Sequence, residues 1–373
     1  MCNLKFSFKQ LVVLLGVAAL LGDALYEGLR SVLGPYLSAL GAGVITAVMF
    51  GVVPEIFVSI GRVSSVFLAR ALSPIALLAL SYIATGVIVP LVGVTGIVTL
   101  ISVLYCAERF MRGVRGPVRD TILSIAVSRE KTGLAFGILE VLDQVGAVLG
   151  PAYLTLIIIL TGSLKIAIIL LAVFTLPLLV VSMLIWSRLR TAERAIPLAD
   201  LKLSRQELKL TLLLSIPWLA TPHFIAYSDM LAHNLRPEIL TLSYTIAMAI
   251  DALLAVPLGV KANPRHIIIV PAISTLLPLI PTLQTGQIIK AILIGITYGI
   301  ITTIQEVTTR TIIALHTTQT KRLTTYATTY TTQTIAQIIA SILTTKLTTT
   351  QYITYTLLTT LTTILLTQIK PKR

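Results

Sequence analysis

The residues of this chain best placed to do chemistry are acids set among apolar neighbours. Asp23, Glu27 and Arg30 stand at i, i+4 and i+7 with Tyr26 beside them, and Asp229, His233 and Arg236 repeat the spacing. On a helix that spacing puts all three groups on one face. An acid, a second titratable group and an arginine on one stripe suit a proton- or ion-coupled pathway. There the acid gains or loses a proton as its burial changes, and the cation holds it in range. The same stripe could equally be a salt-bridge ladder tying helices together. Glu140 and Asp143, at i and i+3, are candidate gate or coupling carboxylates, with Arg109 as a cation acting on a neighbouring acid. Glu55 and Asp251 are further gating or coupling candidates. Glu108-x3-Arg112 and Glu306-x3-Arg310 read as i,i+4 pairs or gate-closing bridges near inner helix ends.

These side chains need elements that tolerate them. Of 373 residues, 55% are hydrophobic and 12% charged, and the mean hydropathy is +0.93. Soluble domains carry about 25% charged residues, so the composition excludes both a soluble globule and a disordered chain. Apolar stretches of membrane-helix length recur at 10–37, 43–61, 74–93, 95–113, 134–161, 164–187, 209–233, 238–260, 266–285, 288–311, 323–345 and 348–369. Backbone polar groups in lipid must be bonded internally, and period-two alternation is absent, so the spans are helices rather than barrel strands. The first is not a cleavable signal, since its apolar run passes through Asp23 without a small-residue cleavage pattern. The expectation is an all-α polytopic membrane protein with twelve transmembrane helices.

Nine of the fifteen acids lie inside or at the edge of these spans: Asp23, Glu27, Glu55, Glu108, Glu140, Asp143, Asp229, Asp251 and Glu306. A charge at the bilayer centre costs about 2.5–3.5 kcal/mol on insertion scales, so each should face the bundle interior or a water-filled cavity. The bases segregate differently. With the N-terminus inside, 24 of the 29 fall in inner segments, leaving Arg30, Lys165, Arg236, Lys290 and Lys346 outside. That asymmetry places both termini in the cytoplasm of a plasma-membrane protein. It also accounts for the net charge of +14 through lipid contact, without nucleic acid.

Other chemistries find no support in the sequence. His223, His233, His266 and His316 show no metal-ligand spacing, Cys2 and Cys106 do not form a disulfide framework, and no Walker loop is present. No metal or cofactor is expected. Asp120 and Asp200 stand isolated in expected loops, so a membrane-embedded lipid-modifying enzyme lacks its acid cluster; a non-transporting membrane sensor is the other alternative.

Two halves repeat. At an offset of 206, Asp23-Ala-Leu-Tyr-Glu-Gly-Leu-Arg30 matches Asp229-Met-Leu-Ala-His-Asn-Leu-Arg236. Glu55 answers Asp251, Glu108/Arg112 answers Glu306/Arg310, and Asp143 answers Gln333. A parallel duplication follows, with six-helix bundles at 1–187 and 209–373 joined by a basic linker at 188–208. The second half is rich in Thr, whose hydroxyl can bond the carbonyl one turn back; compositional drift or a Thr-lined pathway would each produce it.

The span-five sequence Gly137-x8-Gly146-x3-Gly150-Pro151 resembles the glycine signature of drug:proton antiporters of the major facilitator superfamily, with Leu154-Thr155 in place of its closing Gly-Gly. Arg109, followed at four residues by Gly113, resembles the superfamily's span-four Arg motif. Ser65–Arg70 keeps the Arg of its loop motif but has Ala69 where an Asp belongs, which shifts the usual inner-gate bridge to Glu55 or Asp120. The resemblance covers the whole chain and implies two pseudo-symmetric six-helix bundles, with glycines admitting close helix contact and the Gly-Pro step bending span five. It further implies a monomeric secondary transporter of a small molecule by alternating access, with proton-coupled efflux of an amphipathic or cationic compound expected first and uptake of a metabolite as the alternative.

Overall fold

In the computed structural model, residues 8–42, 52–190, 200–224, 227 and 237–368 are described, and among them the chain is helical without strands. The helices are α1 (Phe8–Ala39), α2 (Val52–Ala71), α3 (Pro74–Val94), α4 (Val98–Ala126), α5 (Thr132–Thr161), α6 (Leu164–Leu189, with a break at Leu171) and α7 (Arg205–Ser215). They continue as α8 (Pro237–Val260), α9 (Ile269–Ser274), α10 (Gln287–His316), α11 (Arg322–Thr344) and α12 (Thr349–Gln368).

Their boundaries follow local chemistry. Ser73 caps α3 by accepting the Ala76 N–H at 2.9 Å, with Pro74 in the first turn where a missing N–H costs nothing. Ser204 and Glu207 form a capping box on α7. Two helices run further than the hydropathy suggested. α2 reaches Ala71 rather than stopping at 61, and α4 reaches Ala126 rather than 113. Both continue through arginines, because a charged side chain breaks an apolar run without breaking a helix.

Six of the described helices, α1, α3, α5, α6, α8 and α10, are long and apolar enough to cross a membrane. The other expected spans fall short for different reasons. α4 carries a dense set of charges, and α11 and α12 dilute their Leu and Ile with Thr. Span seven runs into residues outside the described set. Span nine is not one helix: the 3-10 turn Pro264–Ile268, the short α9 and the 3-10 turn Ile280–Thr282 replace it. Pro271, Pro278 and Pro281 remove the amide donors a continuous helix would need there.

The chain forms two compact units. The first comprises 1–128, 141–201 and 318–327; the second comprises 129–140, 202–317 and 328–373. The start of α5 counts with the second unit and the start of α11 with the first. In the first unit α2 runs along α4, α3 lies between α4 and α6, and α1 packs on α3 and α6 around Leu15, Leu25, Leu29 and Tyr82. In the second, α8 pairs with α10, and α12 packs on α9 and on the 3-10 turn Ile216–Ala220 after α7. Its core is aromatic. The buried hydroxyls of Tyr227, Tyr298 and Tyr352 donate to the carbonyls of Leu277, Pro222 and Ala220 at 2.5, 3.1 and 2.6 Å.

Many of the threonines bond within their own helices, which either reading of their abundance allows. Thr303, Thr325, Thr344, Thr359 and Thr363, among others, donate to the carbonyl four residues back at 2.5–2.9 Å. Others reach across helices, such as Thr211 to Thr329 at 3.1 Å and Ser215 to Thr332 at 2.6 Å.

Candidate functional site

The first unit gathers most of the candidate residues around the middle of α1 and α4. Asp23, Tyr26, Glu27 and Arg30 rise along one face of α1, while Arg109, Arg112 and Arg115 descend α4 at intervals of three. Arg112 lies over the Tyr26 ring, its Cζ 3.7 Å from the centroid, and Arg109 lies over the same ring at 4.6 Å. The ring face is electronegative, so contact with the phenol offsets part of the repulsion between the two guanidiniums. Arg112 Nη1 is 3.6 Å from Glu27 and 4.0 Å from Asp23; Arg115 Nη2 is 3.4 Å from Asp23, and Arg30 Nη1 is 3.3 Å from Glu27. These separations exceed the 2.7–2.9 Å of a tight charge-assisted bond. The cluster opens on one side, where the side chain of Arg112 is 30% exposed.

Three further groups complete it. Arg109 Nη2 donates to Glu55 at 2.9 Å, while its Nε and Nη1 are buried without a hydrogen-bond partner. Arg115 Nη1 donates at 3.0 Å to the Thr85 hydroxyl, which in turn donates to Glu108 Oε1 at 3.2 Å. Glu108 is fully buried and its other oxygen has no hydrogen-bond partner. A hydroxyl can accept and donate at once, so Asp23, Arg115, Thr85 and Glu108 form one relay. Deeper along α4, Arg119 holds Asp143 at 3.0 Å and Asp120 at 3.1 Å.

The second unit has its own charged group. Arg310 Nη1 donates to Glu140 at 2.7 Å, and Nη2 pairs with Glu306 one turn earlier on α10. Glu306 sits in a single π-turn, Ile304–Thr308, a local widening often found where a helix serves a site. Asp251 is fully buried on α8, in the field of Glu306 and Arg310.

Thus the structure joins Asp23, Tyr26, Glu27, Arg30, Arg109 and Arg112, and it separates Glu140 from Asp143, which turn to different arginines. Glu306 and Arg310 are bonded as an i,i+4 pair. Glu108 and Arg112 are not: Glu108 turns to Thr85, and Arg112 to α1. Arg70 is exposed in the last turn of α2, and Asp229, His233 and Arg236 lie outside the described residues. Gly146 and Gly150 are where α5 meets the α1 backbone at Leu20 and Ala24, and Gly137 faces Ala255 and Val256 of α8; α5 continues as a helix through Pro151.

Sequence reasoning placed Arg115, Arg119 and Asp120 in an inner loop, whereas all three are buried in α4. The run Arg109, Arg112, Arg115 and Arg119, at steps of three, three and four, has helical spacing, a signal that could have found them. Thr85 and Tyr82, with Arg115 4.7 Å above the Tyr82 ring, carry no such signal. Among the described residues no group of three His, Cys, Asp or Glu could hold a metal ion.

No family model matches the chain. Over 153 residues, 41% of the chain, it is 39% identical to uncharacterized proteins of Mycobacterium bovis and Mycobacterium tuberculosis; the match spans 37% of the length of those relatives. Among solved structures, a bacterial homologue of the iron transporter ferroportin in its outward-facing state superposes with a TM-score of 0.66 at 16% identity, over 96% of this chain and 99% of that one. The human organic anion transporter TETRAN gives 0.66 at 11% identity, over 97% and 99%. These neighbours are membrane transporters, not enzymes, and the chain shares their fold.

Proposed function

We propose that the protein is a secondary active transporter that carries a small molecule by alternating access and couples its movement to protons through Asp23 and Glu27. The observation that carries this reading is the pair of mid-helix carboxylates, held loosely by Arg30, Arg112 and Arg115 on membrane-length helices. Intramembrane acids are costly, and three arginines sharing two acids at 3.3–4.0 Å form an arrangement that protonation can rearrange. The fold shared with transporters of iron and of organic anions supports transport as the activity.

Efflux is the direction that the α5 glycine pattern suggests. Gly146 and Gly150 are accounted for by close contact with α1, however, so the pattern reports packing as readily as exchange. The excess of acids that favoured a cationic substrate is likewise reduced, because Glu55 pairs with Arg109, and Asp143 and Asp120 share Arg119. The test is flux in proteoliposomes under an imposed pH gradient of either sign, with Asp23→Asn and Glu27→Gln. Gradient-driven flux in the parent and its loss in both variants is the expected result; coupled flux unchanged in both would refute the assignment.

A further inference from the structure

We propose that the Tyr82 hydroxyl on α3 joins two arginine-held acids, Asp23 on α1 and Asp143 on α5, through a buried water that it binds between them. The proposal rests on the transport reading above and deepens it, extending the pathway from Asp23 across α3 to a second carboxylate.

The hydroxyl itself needs a reason. Tyr82 is fully buried, and its oxygen has no hydrogen-bond partner among the described residues. The buried tyrosines of the second unit, Tyr227, Tyr298 and Tyr352, each donate to a main-chain carbonyl instead. Buried polar groups are almost always paired, and where no protein atom serves, an ordered water does.

Its place follows from α1 and α4. Gly22 makes the room: a Cβ there would stand 3.1 Å from Tyr82 Cε1 and 3.5 Å from Arg115 Nη1. The missing side chain lets the ring edge and the guanidinium both reach α1 beside Asp23. Arg115 lies over the Tyr82 ring, its Cζ 4.7 Å from the centroid and its Nη2 3.4 Å from Asp23. Its Nη1 turns to Thr85, one turn along α3 from Tyr82. Arg119, one turn along α4 from Arg115, holds the two oxygens of Asp143 at 3.2 and 3.0 Å. Tyr82 lies in the field of all four charges, Arg119 and Asp143 as well as Arg115 and Asp23.

Such surroundings suit a water. A buried water makes about three hydrogen bonds to polar groups, and here a phenol, two guanidiniums and two carboxylates offer both donors and acceptors. A hydroxyl donates and accepts at once, so a change of bonding at Asp23 reaches Asp143 as the hydroxyl and the water turn. Arg115 and Arg119 hold the two acids separately; Tyr82 and its water connect them.

The test is X-ray hydroxyl-radical labelling of the full-length protein in detergent, in which radicals formed from bound water modify the side chains beside it. Tyr82 should be hydroxylated at several times the rate of Tyr298 and Tyr352, which are also buried but bonded to carbonyls. A second measurement is the unfolding double-mutant cycle of Tyr82→Phe with Asp143→Asn and with Asp23→Asn. The phenylalanine keeps the ring under Arg115 and removes only the hydroxyl. Groups in one network fail to add, whereas distant ones add. Both cycles should be non-additive, and that of Tyr82→Phe with Glu140→Gln, in the second unit, additive. Tyr82 labelled no faster than Tyr298 and Tyr352, additivity in either acid's cycle, or equal coupling to Glu140 would overturn the proposal. The labelling uses the unaltered chain, so it decides where a variant fails to fold. Neither readout needs a substrate. Coupled flux unchanged in Asp23→Asn and Glu27→Gln would therefore remove the transport reading and leave the junction standing. Tyr82 unlabelled, with flux lost in those variants, would do the reverse.

Discussion

The same substitution at two helical glycines should have opposite effects. Gly116, inside α4, has open space where a Cβ would go, with no atom within 4 Å. Gly150, inside α5, faces the α1 backbone: a Cβ there would overlap the Ala24 carbonyl oxygen and lie 2.7 Å from its carbon and 2.8 Å from Cα. Alanine is favoured over glycine in a helix interior by about 0.5–1 kcal/mol, a gain common to both sites. Gly116→Ala should therefore stabilise by that amount. At Gly150 the obstacle is main chain, which cannot rotate aside, and carbons pack at about 3.5–4.0 Å. α1 would have to withdraw by about 1 Å, and overpacking of this kind costs about 1–3 kcal/mol. Because the propensity gain cancels, the difference between the variants isolates the clash, and Gly150→Ala should be the less stable by about 1–3 kcal/mol. Reversible unfolding in mixed dodecylmaltoside and SDS micelles measures it. Equal stabilities, or Gly150→Ala the more stable, would show that α1 and α5 are not in backbone contact and would undercut the placement of Asp23 beside α4.

Three further expectations can be checked by the same unfolding measurement. Glu140→Gln removes a 2.7 Å charged bond to Arg310 while leaving the Glu306 contact, so a loss of about 1–3 kcal/mol is expected, and a neutral effect would contradict the pairing. Ser73→Ala removes the α3 cap and should cost about 0.5–2 kcal/mol, recovered in large part by Ser73→Asp. Thr354→Val deletes an exposed hydroxyl satisfied by Thr350 of its own helix and should stay within about 0.5 kcal/mol, whereas Thr211→Val breaks a buried link to Thr329 and should cost about 1 kcal/mol.

The helices were legible because lipid solvates only apolar faces, and the resulting runs of Leu, Val and Ile show plainly in the sequence. Their ends were less so. Hydropathy reads charge as loop, yet α4 continues for thirteen residues past Gly113, from Val114 to Ala126, carrying Arg115, Arg119 and Asp120 inside the first unit. The failure at span nine has a different origin: its residues are apolar enough, but three prolines within eleven positions, 271 to 281, deny the helix its donors. Composition thus locates membrane segments, while backbone hydrogen bonding decides whether each is one helix.

The candidate site shows the same limit from the other side. The i, i+4, i+7 stripe of Asp23, Glu27 and Arg30 was visible because it is local, and its pairing of Glu27 with Arg30 at 3.3 Å is local too. What the stripe faces was not visible, since that depends on which helix lies opposite. Arg109, Arg112, Arg115 and Arg119, counted among inner-surface cations, are instead the counter-charges of acids on α1, α2, α4 and α5. That removes four bases from the orientation count without reversing it, since the remaining inner segments still outweigh the outer ones. It also changes what the acids mean. An unmatched intramembrane acid points to a cation or a proton; an acid held loosely by a shared arginine points to an exchange of partners. Glu108, fully buried at the end of the Asp23–Arg115–Thr85 relay, receives the Thr85 hydroxyl rather than the arginine one turn on, so the local i,i+4 spacing misnamed its partner.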